Sequence, residues 1–211
     1  MPVSLKESNK IGLYGLVAAN LALYYLLLRS TAIVTGDWLT LLRGLSLIVP
    51  AGVGTALTGV VAAQFSAQAK ARIVFMRWRD PLPGSEAFTK YARMDPRVDV
   101  QALERLIGQL PTTPAEQNAT WYRLYKTVDH EPAVIQAHRA FLFARDYSAL
   151  VVILSLVLGV LGSIQLPSVR TRLAYVFALV LQFALASRAA RTNGRRFVTT
   201  VLAIKAAQEN G

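Results

Sequence analysis

Two histidines, His130 and His138, are the only imidazoles in the 211-residue chain, and there is no cysteine. Imidazole is the side chain suited to moving protons near neutral pH. The two stand eight apart, which is not the spacing of two metal ligands on one helical turn, and a metal would need carboxylates brought in by the fold. No phosphate-binding loop, dinucleotide fingerprint, metalloprotease helix or paired-cysteine site is present. Neither a metal nor a cofactor is expected, and the chain reads as a binding protein before it reads as an enzyme.

The sharpest chemical pattern is Arg123, six residues, then His130. This spacing resembles the arginine-to-histidine motif of the HEPN ribonuclease superfamily. The resemblance covers two residues and implies that they converge on an RNA phosphate, with histidine in proton transfer and arginine holding charge. Nearby, Trp121, Leu124 and Tyr125 share one helical face, with Gln117 and Asn118 a turn upstream. Read as a site, this face is an aromatic pocket or a stacking platform with amides to bond a ligand. Read plainly, it is a helix face filling a small core. Arg139, Arg145 and Asp146 follow, where arginines meet either phosphates or the membrane interface. Gln117, Asn118, Trp121, Arg123, Tyr125, His130, His138 and Arg139 are the candidate residues for a ligand or partner.

These residues sit on a polar island, 70–146, between long apolar runs. With 54% hydrophobic and 17% charged residues, the composition is that of a membrane protein. The net charge is +11. The island holds twelve Lys and Arg against nine Asp and Glu, so most of the excess flanks the apolar runs. There it sets topology and meets anionic headgroups, and no nucleic-acid partner is expected.

Four runs reach spanning length: Ile11 to Leu28, Leu39 to about Phe65, Ser148 to Leu166, and Leu173 to about Ser187. Arg29-Ser30-Thr31 after the first run is not a cleavage site, so that run is expected to stay as a span. Lys6, Lys10, Lys70, Arg72, Arg77, Arg79, Arg139, Arg145, Arg188, Arg191, Arg195 and Arg196 lie on one side and Arg29, Arg170 and Arg172 on the other. Positive charge therefore places both termini and the island in the cytoplasm of an inner-membrane, multi-pass protein. The second run is unusual: Pro50, Gly52, Gly54 and Thr58 make it rich in small residues and hydroxyls, suited to a helix seam or a pore wall. Arg43 lies near its outer end and either snorkels outward or lines an anion-selective mouth.

The expected fold is all-α, with four transmembrane helices and a small cytoplasmic helical domain between helices 2 and 3. The expected divisions are 1–69 for the first two spans, 70–146 for the domain with extensions of helices 2 and 3, 147–192 for the last two spans, and 193–211 for an amphipathic C-terminal helix. The second span is expected to continue as one helix to about Arg79, and Asn193-Gly194 to bend the tail. Within the island, Ser85 to Met94 reads as a short helix. Asp95-Pro96 caps a helix that ends at Pro111, and Thr113 to Glu116 reads as a capping box for a helix to about Thr127.

The expected function is a homo-oligomeric, channel-like or membrane-perturbing protein gated through its cytoplasmic domain. That outline is similar to small membrane effectors of bacterial defence and stress systems. The rival readings are a non-conducting scaffold that docks a cytoplasmic partner and a membrane-tethered HEPN-like ribonuclease. The lipid bilayer, a second copy of the chain and a cytoplasmic protein or small ligand are the expected partners.

Overall fold

The computed structural model describes residues 9–37, 39, 43 and 65–210. Among them the chain is helical throughout, with no strand. The order is α1 (Lys10–Leu28), α2 (Ser30–Thr35), α3 (Ala67–Phe75), a 3₁₀ turn (Pro83–Glu86), a π turn (Ala87–Tyr91), α4 (Ala92–Met94), α5 (Val100–Ile107), α6 (Pro114–Thr127), α7 (Pro132–Gln165) and α8 (Val169–Asn210).

Three of these helices, α1, α7 and α8, are long and apolar enough to cross a bilayer, with mean hydropathy of 1.8, 2.3 and 1.7 over their most apolar windows. The second expected span, with Pro50, Gly52, Gly54 and Thr58, lies outside the described residues. Arg43 is exposed.

The contacts divide the chain into two units, Met1–Ser66 with Asp146–Ala186, and Ala67–Arg145 with Ser187–Gly211. The first unit has an apolar core of Val17 from α1, Leu150, Leu154 and Leu158 from α7, and Tyr175 and Leu179 from α8. Gly162 lets α7 and α8 close on each other, since a Cβ there would stand 2.8 Å from the Tyr175 ring. Several polar side chains in this unit find partners at hand, while the buried Ser155 and Tyr175 hydroxyls have none among the described residues. Gln182 donates to the Tyr147 hydroxyl at 2.6 Å, Asn20 to the Leu16 carbonyl at 2.8 Å, and Tyr24 to Gln165 at 2.9 Å. Large apolar side chains on α7 and α8, among them Leu156, Val160, Ile164, Phe177 and Leu185, stay more than half exposed. Such a face suits hydrocarbon as its surroundings.

The second unit, the helical head, closes around Phe88, Leu103, Trp121, Val134, Phe141, Phe197, Val201 and Leu202. Residues 197–206 of α8 are thus part of this core, which burial of their apolar stripe explains. The expected bend at Asn193-Gly194 does not occur, and α8 runs through it. Gly194 is there for room: a Cβ would stand 2.9 Å from Phe75 and 3.1 Å from Phe141.

Other boundaries also depart from expectation. Phe65 and Ser66 are not helical, and α3 ends at Phe75, not Arg79. Met76 and Asp80 take positive φ, 52° and 45°, which turns the chain before Pro81. The Arg77 guanidinium donates to Glu86 at 2.6 Å from within that turn. Ser85 to Met94 is wound as 3₁₀, π and α turns in succession. Asp95 does not cap α5. Its carboxylate accepts from the Arg97 amide and guanidinium, while Asp99 caps the helix by accepting from the Ala102 amide at 3.1 Å. The helix stops at Ile107, where Gly108 takes φ 75°. Thr113 precedes α6 as expected, but its hydroxyl bonds the Glu116 side chain at 2.7 Å, not the backbone.

Candidate functional site

In the head, the segment after α5 leans against α6 and leaves an open groove of about 760 Å³. Ile107, Leu110 and Leu124 give it an apolar floor, and Glu116, Thr120 and Arg123 a polar wall. Its shape is set by Gln117, buried at the root of α6. The Gln117 amide nitrogen donates to the Thr112 carbonyl at 2.9 Å, tying the segment down. The amide oxygen accepts from the Phe88 and Thr89 amides at 3.0 and 3.1 Å and from the Thr89 hydroxyl at 3.1 Å. With those bonds made and the side chain 2% exposed, Gln117 holds the head together and is closed to a ligand.

Asn118 and Trp121 also face inward, packed over the backbone of Gly84. The aromatic face of α6 is core, as its plain reading expects. Trp121 is 5% exposed and meets Phe197 edge-on at 5.2 Å. Its indole nitrogen is buried without a hydrogen-bond partner. Tyr125 stacks beside it at 5.8 Å and also meets Phe197 edge-on.

His138 completes this cluster. Its ring is half-buried, lies flat on Phe197 at 4.6 Å, and has Nδ1 3.2 Å from the Tyr125 hydroxyl. Burial first, then the nearby positive charges of Arg145 and Lys126, push its pKa below the usual histidine value. Burial likewise pushes the Tyr125 hydroxyl up.

Arg123 and His130 are not brought together. The Arg123 guanidinium points along α6 to the Thr120 hydroxyl at 3.0 Å and lines the groove. His130 stands in the turn before α7, its side chain 72% exposed and 3.8 Å from Glu131, and it does not line that groove. Arg139 is exposed on α7, and Arg145 lies over the Phe141 ring at 5.8 Å. Among the described residues no cluster of histidine and carboxylate could hold a metal ion.

Two things escaped sequence reasoning. Phe197, at the centre of the aromatic cluster, falls in the expected amphipathic C-terminal helix, where nothing in the sequence marks it out. The basic residues Arg77, Lys90, Arg188, Arg191 and Arg195, read as topology signals or passed over, share one cleft. The spacing of the last three, three and four apart on one helix, was the available signal.

The chain matches no family model, no curated protein and no solved structure.

Proposed function

We propose that this chain is a four-span inner-membrane protein, with both ends and the helical head in the cytoplasm, that works as a homo-oligomeric, channel-like or membrane-perturbing effector. The observation that carries the reading is the continuity of α7 and α8. Each is a single helix contributing side chains to both cores: Val134 and Phe141 with Leu150 and Leu158 on α7, Tyr175 and Leu179 with Phe197 and Val201 on α8. A binding event that repacks the head acts on helices whose other ends are apolar and uncovered. The exposed apolar side chains of α7 and α8 favour lipid or further copies of the chain around them.

The mass of the protein in nanodiscs, by native mass spectrometry, tests the assembly, and ion flux through liposomes holding the purified chain tests conduction. A closed oligomer of about four or more copies with flux supports the reading, since a pore needs several helices around it. A monomer without flux in any state overturns it.

The groove beside α6 favours a second reading, a non-conducting scaffold. It is open, apolar at its floor and carries an exposed Arg123, the anatomy of a protein-docking surface. Retention of a cytoplasmic protein that Arg123→Ala abolishes, with no flux in any state, separates this reading from the first.

A further inference from the structure

One cleft of the head gathers several of its positive charges. A cleft of about 420 Å³ between the turn after α3, the π turn and α8 is lined by five cations: Arg77, Lys90, Arg188, Arg191 and Arg195, with Thr192 among them. The anion that answers two of them, Arg77 and Lys90, is Glu86. It takes a hydrogen bond from Arg77 at 2.6 Å and an ion pair from Lys90 at 3.5 Å. Burial pushes the Glu86 pKa up, but the bonds from Arg77 and Tyr91 and the two cations outweigh it, and the carboxyl is held ionised.

The cleft is also partly prearranged. Arg191 donates from Nε to the Val74 carbonyl at 2.6 Å, which leaves the two terminal nitrogens of its guanidinium for another acceptor. Glu86 fixes Arg77. Arg188 and Arg195 are exposed and make no hydrogen bond or ion pair among the described residues. On α8 the three arginines stand three and four residues apart, so they repel one another on a single face. Among the described residues only Arg191 of the three bonds the fold itself, so the arrangement leaves positive charge that the protein does not answer. An anion with several acceptor oxygens gains from all of it.

We infer that this cleft binds a ligand carrying two phosphate groups or more, through Arg188, Arg191 and Arg195 of α8 with Arg77 and Lys90 opposite. One phosphate would leave much of the charge unanswered, and guanidinium groups suit phosphate oxygens in pairs. The diphosphate can come from a lipid headgroup or from a free molecule. Met76 and Trp78 flank Arg77 in the sequence and are 71% and 85% exposed, and tryptophan is a residue type that anchors at a lipid interface. The inference goes beyond the proposed function and does not depend on the number of spans or on conduction.

The test uses the full chain with two probes, inorganic pyrophosphate titrated into the protein in detergent micelles, and cardiolipin offered in phosphatidylcholine nanodiscs. The variant is Arg188→Gln with Arg195→Gln. Both side chains are exposed, so its melting temperature should equal that of the native chain. Arg105→Gln, outside the cleft, is the control, and lysine at 188 and 195 restores charge without the guanidinium fork. Pyrophosphate binding that weakens about tenfold or more in the double glutamine variant, and is kept in the control, supports a free diphosphate ligand. Cardiolipin held by the native chain and lost from that variant, without pyrophosphate binding, supports a lipid headgroup. Equal retention of both probes by native chain and variant, or binding of neither, overturns the inference.

Discussion

His138 lies flat on Phe197, with ring centroids 4.6 Å apart and planes 4° from parallel. The neutral ring fits there: one face is against a phenyl group, Nδ1 is at the Tyr125 hydroxyl, and Arg145 and Lys126 add positive potential. A histidine whose pKa is depressed by folding takes up protons less readily in the folded state than in the unfolded chain. Its contribution to stability is complete above the unfolded value, about 6.5, and is lost as pH falls through the folded one. The head should therefore melt at lower temperature at about pH 5.5 than at about pH 7.5. His138→Phe, which keeps the stack, should flatten that dependence. A variant with the same pH slope as the native chain would show that His138 does not titrate with folding.

Gln117 predicts a different kind of loss. Replacing it with leucine keeps the volume but strands the buried Phe88 amide, the Thr89 amide and the Thr112 carbonyl. A stranded buried group costs about 1–3 kcal/mol, and only Phe88 is buried while Thr89 and Thr112 stand at the surface where water can replace part of the lost bonds, so Gln117→Leu should destabilise the head by about 2–4 kcal/mol in a denaturant melt. Gln117→Glu keeps the acceptor for Phe88 and Thr89 but buries a carboxyl whose second oxygen faces the Thr112 carbonyl, so it should cost less than leucine only at acid pH, where the protonated group can donate to Thr112. A Gln117→Leu variant that melts like the native chain would show that water or neighbouring groups satisfy the Phe88 and Thr89 amides and the Thr112 carbonyl without it.

Gly84 carries the closest approach in the head. A Cβ there would meet Asn118 Oδ1 at 2.6 Å and Trp121 Cε3 at 2.7 Å. The indole cannot retreat, because Phe197 and Tyr125 pack against it. Gly84→Ala should therefore cost about 1–3 kcal/mol, although alanine is normally the better helix former. Near-neutral melting of the variant would show that α6 can shift away from the turn.

The helices themselves were legible in the sequence. The Thr113 to Glu116 signal and proline at the first helical position located α6, and length and hydropathy located the apolar parts of α1, α7 and α8. What failed was competition between equivalent signals. Asp95 and Asp99 are both good caps, and which one caps depends on Arg97 reaching back to Asp95, a contact that no local pattern encodes. Asn193-Gly194 looked like a bend because propensity cannot see Phe75 and Phe141 closing on the glycine. The groove and the basic cleft were illegible for the same reason. Arg77 and Arg191 are far apart in the chain, and their meeting is a property of the fold.

The same burial decides how the groove can be probed. Trp121 stood in the sequence as a ligand contact, and Trp121→Ala as a natural test of docking. With the ring 5% exposed between Phe197, Tyr125 and Gly84, its removal should cost about 3–5 kcal/mol and weaken every activity of the head at once. Trp121→Phe should cost less, since the indole nitrogen has no hydrogen-bond partner to lose. Arg123 is the discriminating position. It is exposed, lines the groove and is bonded only locally, to Thr120, so Arg123→Ala should melt within about 0.5 kcal/mol of the native chain. Native-like melting with loss of a captured cytoplasmic protein would locate docking in the groove. Native-like melting with the protein still held would move the search to another face of the head.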